Sequence, residues 1–257
     1  MPLMSILLIV LIAVGGSSVI GIVSGLLVRN IPHRANDAIL GFAAGVMLAA
    51  SVLGLLAPAI SDATPGQMVI SVLGTFTGAY FISLLDRIIP HLHRLAGIDS
   101  TIEHVKSRDK ILLFTAAVAL HKIPEGLATG VRFGTGNIGD VLTVAGSISL
   151  QNIPEAMVLV APLFAIGVKT VRILNISLSI AAVSIISVLC GYFLVSVFCA
   201  VLPFLLCSAG GAMLYVISHD MIPETHSHGF HKPATFALIG GLMLVLILQR
   251  ITALCAG

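Results

Sequence analysis

The sequence predicts an all-α polytopic membrane protein, and composition, long apolar runs and sparse charge support this fold class. Of 257 residues, 58% are hydrophobic and 9% are charged, and the mean hydropathy is +1.11. Soluble domains carry about 25% charged residues, so a water-facing surface is excluded. The apolar runs are continuous rather than alternating, which favours helices over barrel strands in lipid. The net charge of +2 gives no reason to expect a nucleic-acid partner.

Eight apolar runs lie between proline, glycine and charged breaks, and each is close to the roughly 20 residues that a helix needs to cross a bilayer. They account for residues 1–257 as a single transmembrane domain, with no room for a sizeable soluble domain. The first run has no basic residues before it, so we expect it to be retained as a span rather than cleaved. The predicted spans are 3–28, 38–60, 67–89, 111–131, 141–167, 171–199, 203–223 and 234–255.

Basic residues divide unequally between the two sides of the membrane that eight crossings define. The side rich in Lys and Arg faces the cytoplasm, so both termini are predicted to lie outside the cell membrane. The connection 90–110, with His91, His93 and His104, is then cytoplasmic. The outer side holds only Arg132 and Arg250. The inner side holds Arg29, Arg34, Arg87, Arg94, Lys106, Arg108, Lys110, Lys169, Arg172 and Lys232.

Several spans contain pairs of glycines separated by three residues, a spacing that allows two helix backbones to approach closely. We interpret these pairs as helix-packing signals. They are Gly21 and Gly25, Gly41 and Gly45, and Gly74 and Gly78.

Two similar polar segments occupy the middle of spans 4 and 5, thirty residues apart. One reads HKIPE from His121 to Glu125, and the other reads QNIPE from Gln151 to Glu155. Residues four apart share a helix face, so each segment should present its first and last side chains together. The proline in each segment kinks its helix and frees a backbone carbonyl. Charged groups in hydrocarbon cost several kcal/mol, so we expect these segments to be functional.

The chemistry of these side chains indicates a divalent metal. Two neighbouring carboxylates in a low dielectric repel each other and take up protons unless a cation lies between them. Imidazole combined with carboxylate and amide oxygens favours first-row metals over Mg²⁺ or Ca²⁺. Zinc is the leading candidate, and Cd²⁺, Fe²⁺ and Mn²⁺ stay open. The alternative is a polar clamp between helices in which the carboxylates share a proton.

Both segments resemble the span-4 and span-5 signatures of the ZIP family of metal-ion transporters, in particular its bacterial GufA-like branch. Residues 41–51 in span 2 and 209–226 in span 7 are similar to that branch as well. The resemblance implies a ZIP-type bundle of eight helices with the proline-kinked spans 4 and 5 at its centre, and metal uptake into the cytoplasm by alternating access. It also implies a metal site made of Met47, His121, Glu125, Gln151 and Glu155.

Two positions depart from the family pattern where many relatives hold a second metal. Lys122 stands where those relatives have Asn, and Ser184 is the best match for a span-6 Glu. A protonated lysine has no lone pair for a metal but can neutralise carboxylates. We therefore predict a mononuclear site in which the Lys122 ammonium takes roughly the place of the second metal. Asn152 and Ser184 are the remnants of that second position.

The predicted function is transport of a divalent metal, with no catalytic cofactor and with the metal ion and the lipid bilayer as partners. A homodimer stays open. The same site arranged as a continuous pore would make a metal-selective channel. An intramembrane zinc hydrolase is a further alternative, although the sequence lacks an H-E-x-x-H motif. Residues suited to receive metal at a cytoplasmic exit are His219, Asp220, Glu224 and His226.

Overall fold

The computed structural model describes residues 3–28, 31–61, 63–88, 119, 121–165, 167–197 and 202–256. Within these ranges the regular secondary structure is entirely helical, which confirms the all-α prediction for the described part of the chain. The histidine-containing connection 90–110 and most of the predicted span 111–131 lie outside the described residues.

The helices follow the chain in the order of the apolar runs. We label them α1 (Leu3–Val28), α2 (His33–Ser61), α3 (Pro65–Ile88), α4 (121–131), α5 (Ile138–Val158), α6 (Thr170–Val197), α7 (Leu202–Thr225) and α8 (His231–Ala256). A 3₁₀ turn at Arg132–Thr135 joins α4 to α5, and a short helix, Val160–Ala165, follows α5.

Six of the described helices are long and apolar enough to cross a membrane: α1, α2, α3, α6, α7 and α8. The chain is therefore a multi-pass membrane protein. The described parts of α4 and α5 are not among the six, and these two helices carry the polar segments. Eight membrane crossings and outward-facing termini stay predictions.

Prolines widen two of the long helices. The N–H of Ala57 donates to the carbonyl of Val52, and the N–H of Ile222 donates to that of Ile217, so each helix contains a π turn. Both turns lie just before a proline, Pro58 in α2 and Pro223 in α7. A proline cannot donate to the carbonyl four residues earlier and its ring crowds that carbonyl. The wider turn accommodates this crowding. In α5, by contrast, the α-helix runs through Pro154 to Val158.

Glycines lie where helix backbones touch. A Cβ added to Gly45 in α2 would overlap the backbone of Leu238 in α8, and one added to Gly78 in α3 would overlap the backbone of Ser208 in α7. A Cβ added to Gly21 in α1 would likewise overlap the carbonyl of Ile153 in α5. The three predicted glycine pairs therefore do lie at close helix crossings.

These crossings place α4 and α5 inside the bundle. α1 and α2 both pack on α5, while α8 packs on α2 and α7 packs on α3. Gly126 and Gly130 bring α4 against α6 at Ser187 and Val188. At the far end of α4, Arg132 donates to the carboxylate of Asp140 at 2.7 Å and fixes the short α4–α5 connection. The polar segments of α4 and α5 consequently face each other in the interior.

The neighbouring glycines of α8 provide a test of this packing. We expect Gly241→Ala to lower the thermal stability of the protein, because its methyl group would overlap the carbonyl of Phe42 in α2. Overpacking of this kind costs about 1–3 kcal/mol. Gly240 has open space around it, so Gly240→Ala is the matched control and should be neutral or slightly stabilising. Thermal unfolding in detergent, followed by circular dichroism, measures both. Equal melting temperatures for the two variants would contradict the close α2–α8 crossing.

Candidate functional site

Lys122 lies at the centre of the buried polar cluster and joins α4 to α5. Its Nζ donates to Glu125 Oε2 at 2.9 Å, to Asn152 Oδ1 at 2.7 Å and to Glu155 Oε2 at 2.6 Å. An ammonium group has three protons to donate, so these three acceptors satisfy it. The Lys122 residue is only 1% exposed and therefore does not extend to the membrane surface.

The charges of this cluster do not cancel. One ammonium lies between two carboxylates, and Glu125 and Glu155 are both buried. With both carboxylates ionised, the three groups have a formal charge of −1. Buried charge is stable only when it is paired and hydrogen-bonded, so the remaining negative charge favours a further cation or a proton.

Gln151 offers an unused oxygen beside these carboxylates. Its Nε2 donates to Glu125 Oε1 at 3.2 Å. Its Oε1 is buried and has no hydrogen-bond partner. A buried acceptor without a partner costs about 1–3 kcal/mol, and an amide oxygen is a suitable ligand for a hard or borderline metal ion. The donor set therefore fits a cation that binds next to Glu125.

Asn152 connects the cluster to α1. Its side-chain oxygen accepts from Lys122, and its Nδ2 donates to the backbone carbonyl of Val14 at 3.4 Å. The carbonyl of Val14 is a participant that sequence reasoning missed, because no sequence signal distinguishes one backbone carbonyl in an apolar helix from the next. The cluster is thus supported by three helices.

His121 turns toward α7. Its Nε2 lies 3.3 Å from Asp220 Oδ2, and the two side chains are 25% and 19% exposed. Helical spacing predicted a shared face for His121 and Glu125, but the acid that pairs with His121 belongs to α7. Asp220 is one of the four predicted exit residues, so the structure connects that group to the α4 segment.

The predicted ligand Met47 and the predicted second-site remnant Ser184 are both buried. Met47 is buried in the core on α2. Ser184 is buried in α6, and its hydroxyl donates to the carbonyl of Ile180 in its own helix.

The remaining exit residues differ in their surroundings. His219 is exposed beside the ring of Tyr215, whereas His226 Nδ1 lies 2.9 Å from the carbonyl of Ile222. Glu224 is half-buried. In the part of the chain that the structure describes, no three His, Cys, Asp or Glu side chains are grouped closely enough to hold a metal ion. A metal site here therefore needs amide or thioether ligands, or a movement of side chains.

Sequence reasoning also missed a buried acid at the start of α2. Asp37 is fully buried, and its Oδ1 lies 2.9 Å from His228 Nδ1 in the α7–α8 connection. The ring of His33 stacks on that of His228 with centroids 4.4 Å apart. The sequence signal for Asp37 was the presence of an acidic residue close to the apolar part of span 2.

Ionisable side chains buried among the helices of a multi-pass membrane protein are typical of ion and substrate pathways. Residues 91–249 match the sequence profile of a family described as ZIP Zinc transporter. The chain belongs to this family, as the resemblance of its two polar segments predicted. It is accordingly a transporter and not an enzyme, which removes the hydrolase alternative.

Several relatives support this assignment. Zinc transporter ZIPB of Bordetella bronchiseptica is 32% identical over 239 residues, which cover 91% of this chain and 77% of the relative. Zinc transporter GufA of Myxococcus xanthus is 37% identical over 177 residues, 68% of each chain. Zinc transporter ZupT of Chlorobaculum parvum is 27% identical over 245 residues, 89% of this chain and 90% of the relative.

The buried ammonium provides a stability test. We expect Lys122→Met to destabilise the metal-free protein by about 3–5 kcal/mol, because Glu125 and Glu155 would be left without their cation. The chain has no tryptophan, so thermal unfolding is best followed by circular dichroism.

Lys169→Met is the control for this test, since Lys169 is exposed in a connection. Adding Glu155→Gln to Lys122→Met should restore part of the lost stability by removing one unpaired charge. A Lys122→Met protein as stable as the original would show that the ammonium does not compensate the carboxylates.

Proposed function

We propose that the chain carries a divalent metal ion, with zinc as the preferred substrate, across the cell membrane into the cytoplasm. The names of its relatives support zinc, and the buried donors of α4 and α5 support a divalent cation. The observation that carries the proposal is the excess negative charge beside a free amide oxygen, at Glu125, Glu155 and Gln151. Imidazole in the same segment favours zinc over Mg²⁺ or Ca²⁺.

The proposed binding site lies near the middle of the membrane and holds one metal ion. Gln151 Oε1 and the oxygens of Glu125 and Glu155 would supply its oxygen ligands. A divalent ion would change the formal charge of the cluster from −1 to +1. The proposed ligands, including those from α2 and the start of α4, are Met47, His121, Glu125, Gln151 and Glu155.

Lys122 takes the role of a second cation in this proposal. Its ammonium contacts both carboxylates and Asn152, and so it compensates charge where a second metal would otherwise be needed. The hydroxyl of Ser184 is bonded within α6, so this position offers no carboxylate to a second metal. Both features support a mononuclear site.

Transport by alternating access requires the site to open to one side at a time. α4 and α5 contain Pro124 and Pro154 beside the proposed ligands, and each proline removes one backbone hydrogen bond from its helix. We propose that these weakened positions let the two helices change shape around the substrate. We propose that metal leaves toward the cytoplasmic side past the end of α7. Residues on this route are His219, Asp220, Glu224 and His226.

Zinc uptake into sealed vesicles tests the site. We expect the purified protein, reconstituted in liposomes, to take up Zn²⁺ with saturable kinetics. Glu125→Gln and Glu155→Gln should each lower uptake at least about tenfold, since even outer-shell changes around a metal cost about 10–100-fold. An indicator dye inside the vesicles measures the flux.

Asn175→Ala is the control for uptake, because Asn175 is an exposed polar residue of α6. Glutamate variants that transport as well as the original protein would refute the site. A flux that does not saturate and depends weakly on temperature would instead indicate a metal-selective channel.

The number of bound metal ions tests the role of Lys122. We expect the original protein to bind roughly one Zn²⁺ per chain, and Lys122→Asn to bind about two, because the amide adds an oxygen ligand and removes the competing ammonium. Equilibrium dialysis with elemental analysis measures this ratio, and Lys169→Asn is the matched control. Two ions in the original protein would contradict the mononuclear proposal.

A further inference from the structure

The contact between His121 and Asp220 joins the candidate site to a helix that contributes none of the proposed metal ligands. His121 is at the beginning of the described part of α4, next to the buried Lys122. Its Nε2 lies 3.3 Å from Asp220 Oδ2 in α7. Both side chains are mostly shielded, which strengthens an interaction between a ring N–H and a carboxylate.

The π turn of α7 determines where Asp220 points. Asp220 lies within this turn, Ile217–Met221, which precedes Pro223. A π turn contains one more residue than an α turn, and each residue rotates the helix by about 100°. Side chains on either side of the turn therefore point in directions that a regular helix would not give them. Turns of this kind occur frequently at functional sites.

The chemistry of imidazole indicates what the contact between His121 and Asp220 can do. A histidine that binds a metal through one ring nitrogen commonly donates the N–H of its other nitrogen to a carboxylate. This second contact fixes the tautomer, orients the ring and makes the binding nitrogen more basic. When Nε2 carries the ring hydrogen and faces Asp220, the lone pair of His121 is on Nδ1.

We infer that Asp220 is a positioning residue, which holds His121 in the tautomer and orientation that bind the transported metal through Nδ1. This inference rests on the proposed function and gives Asp220 a role while metal is bound, before any role in exit. The described residues include no group of three His, Cys, Asp or Glu suited to hold a metal. Asp220 and His121 therefore act as a pair rather than as two members of an acidic metal cluster.

Equilibrium zinc binding by the full-length protein in detergent tests the inference apart from transport. Asp220→Ala should weaken zinc affinity by about 10–100-fold, the usual effect of removing an outer-shell partner. Asp220→Asn keeps an oxygen that can accept from Nε2–H, so it should retain most of the affinity. Asn175→Ala, which removes an exposed polar side chain of α6 outside the proposed site and exit route, is the control and should leave affinity unchanged.

A double variant shows whether Asp220 acts through His121. In a protein that already has His121→Ala, adding Asp220→Ala should cause no further loss of zinc affinity. Independent ligands would give losses that multiply. A multiplied loss would make Asp220 a direct ligand and overturn the inference, and so would an Asp220→Ala protein that binds zinc normally. Circular dichroism spectra would first establish that each variant is folded.

The uptake assay separates this inference from the proposed function. If the original protein transports no zinc but shows the predicted coupling between His121 and Asp220, the transport proposal fails and the positioning role stands. If zinc uptake depends on Glu125 and Glu155 while the losses at His121 and Asp220 multiply, only the positioning role fails.

Discussion

The structure depends on one ammonium group shared between two helices. Lys122 reaches Glu125 in its own helix and Asn152 and Glu155 in α5, and all four side chains are buried. Three charged groups can remain there only if every partner is held at hydrogen-bond distance, because removing one leaves an uncompensated buried charge. These contacts therefore constrain the relative height and rotation of α4 and α5.

The remaining helices enclose this contact. α1 supplies a backbone carbonyl to Asn152, and α6 allows α4 to approach closely through Gly126 and Gly130. α7 places Asp220 beside His121. The polar interior of the bundle is thus assembled from neighbours that are distant in sequence.

Much of this arrangement could be predicted from the sequence, because it follows from local patterns. The bounds of α1 agree with the predicted first span, and the repeated segments located the buried charges. The partner of His121 could not be predicted in this way, because it depends on a π turn in α7 that changes the direction of Asp220. Asp37 with His228 was missed for a similar reason, since the two residues meet only after α2 and the α7–α8 connection have packed.

The glycine crossings have a consequence for how the bundle can move. The backbones of α2 and α8 touch at Gly45 and Gly241, and those of α3 and α7 touch at Gly78 and Gly211. Helices whose backbones touch at glycines resist sliding along each other. A shift along the helix axis would bring a neighbouring side chain into the space that the missing Cβ leaves. Each of these helix pairs should therefore move as one rigid unit. Large displacements should then occur at the contacts between the pairs.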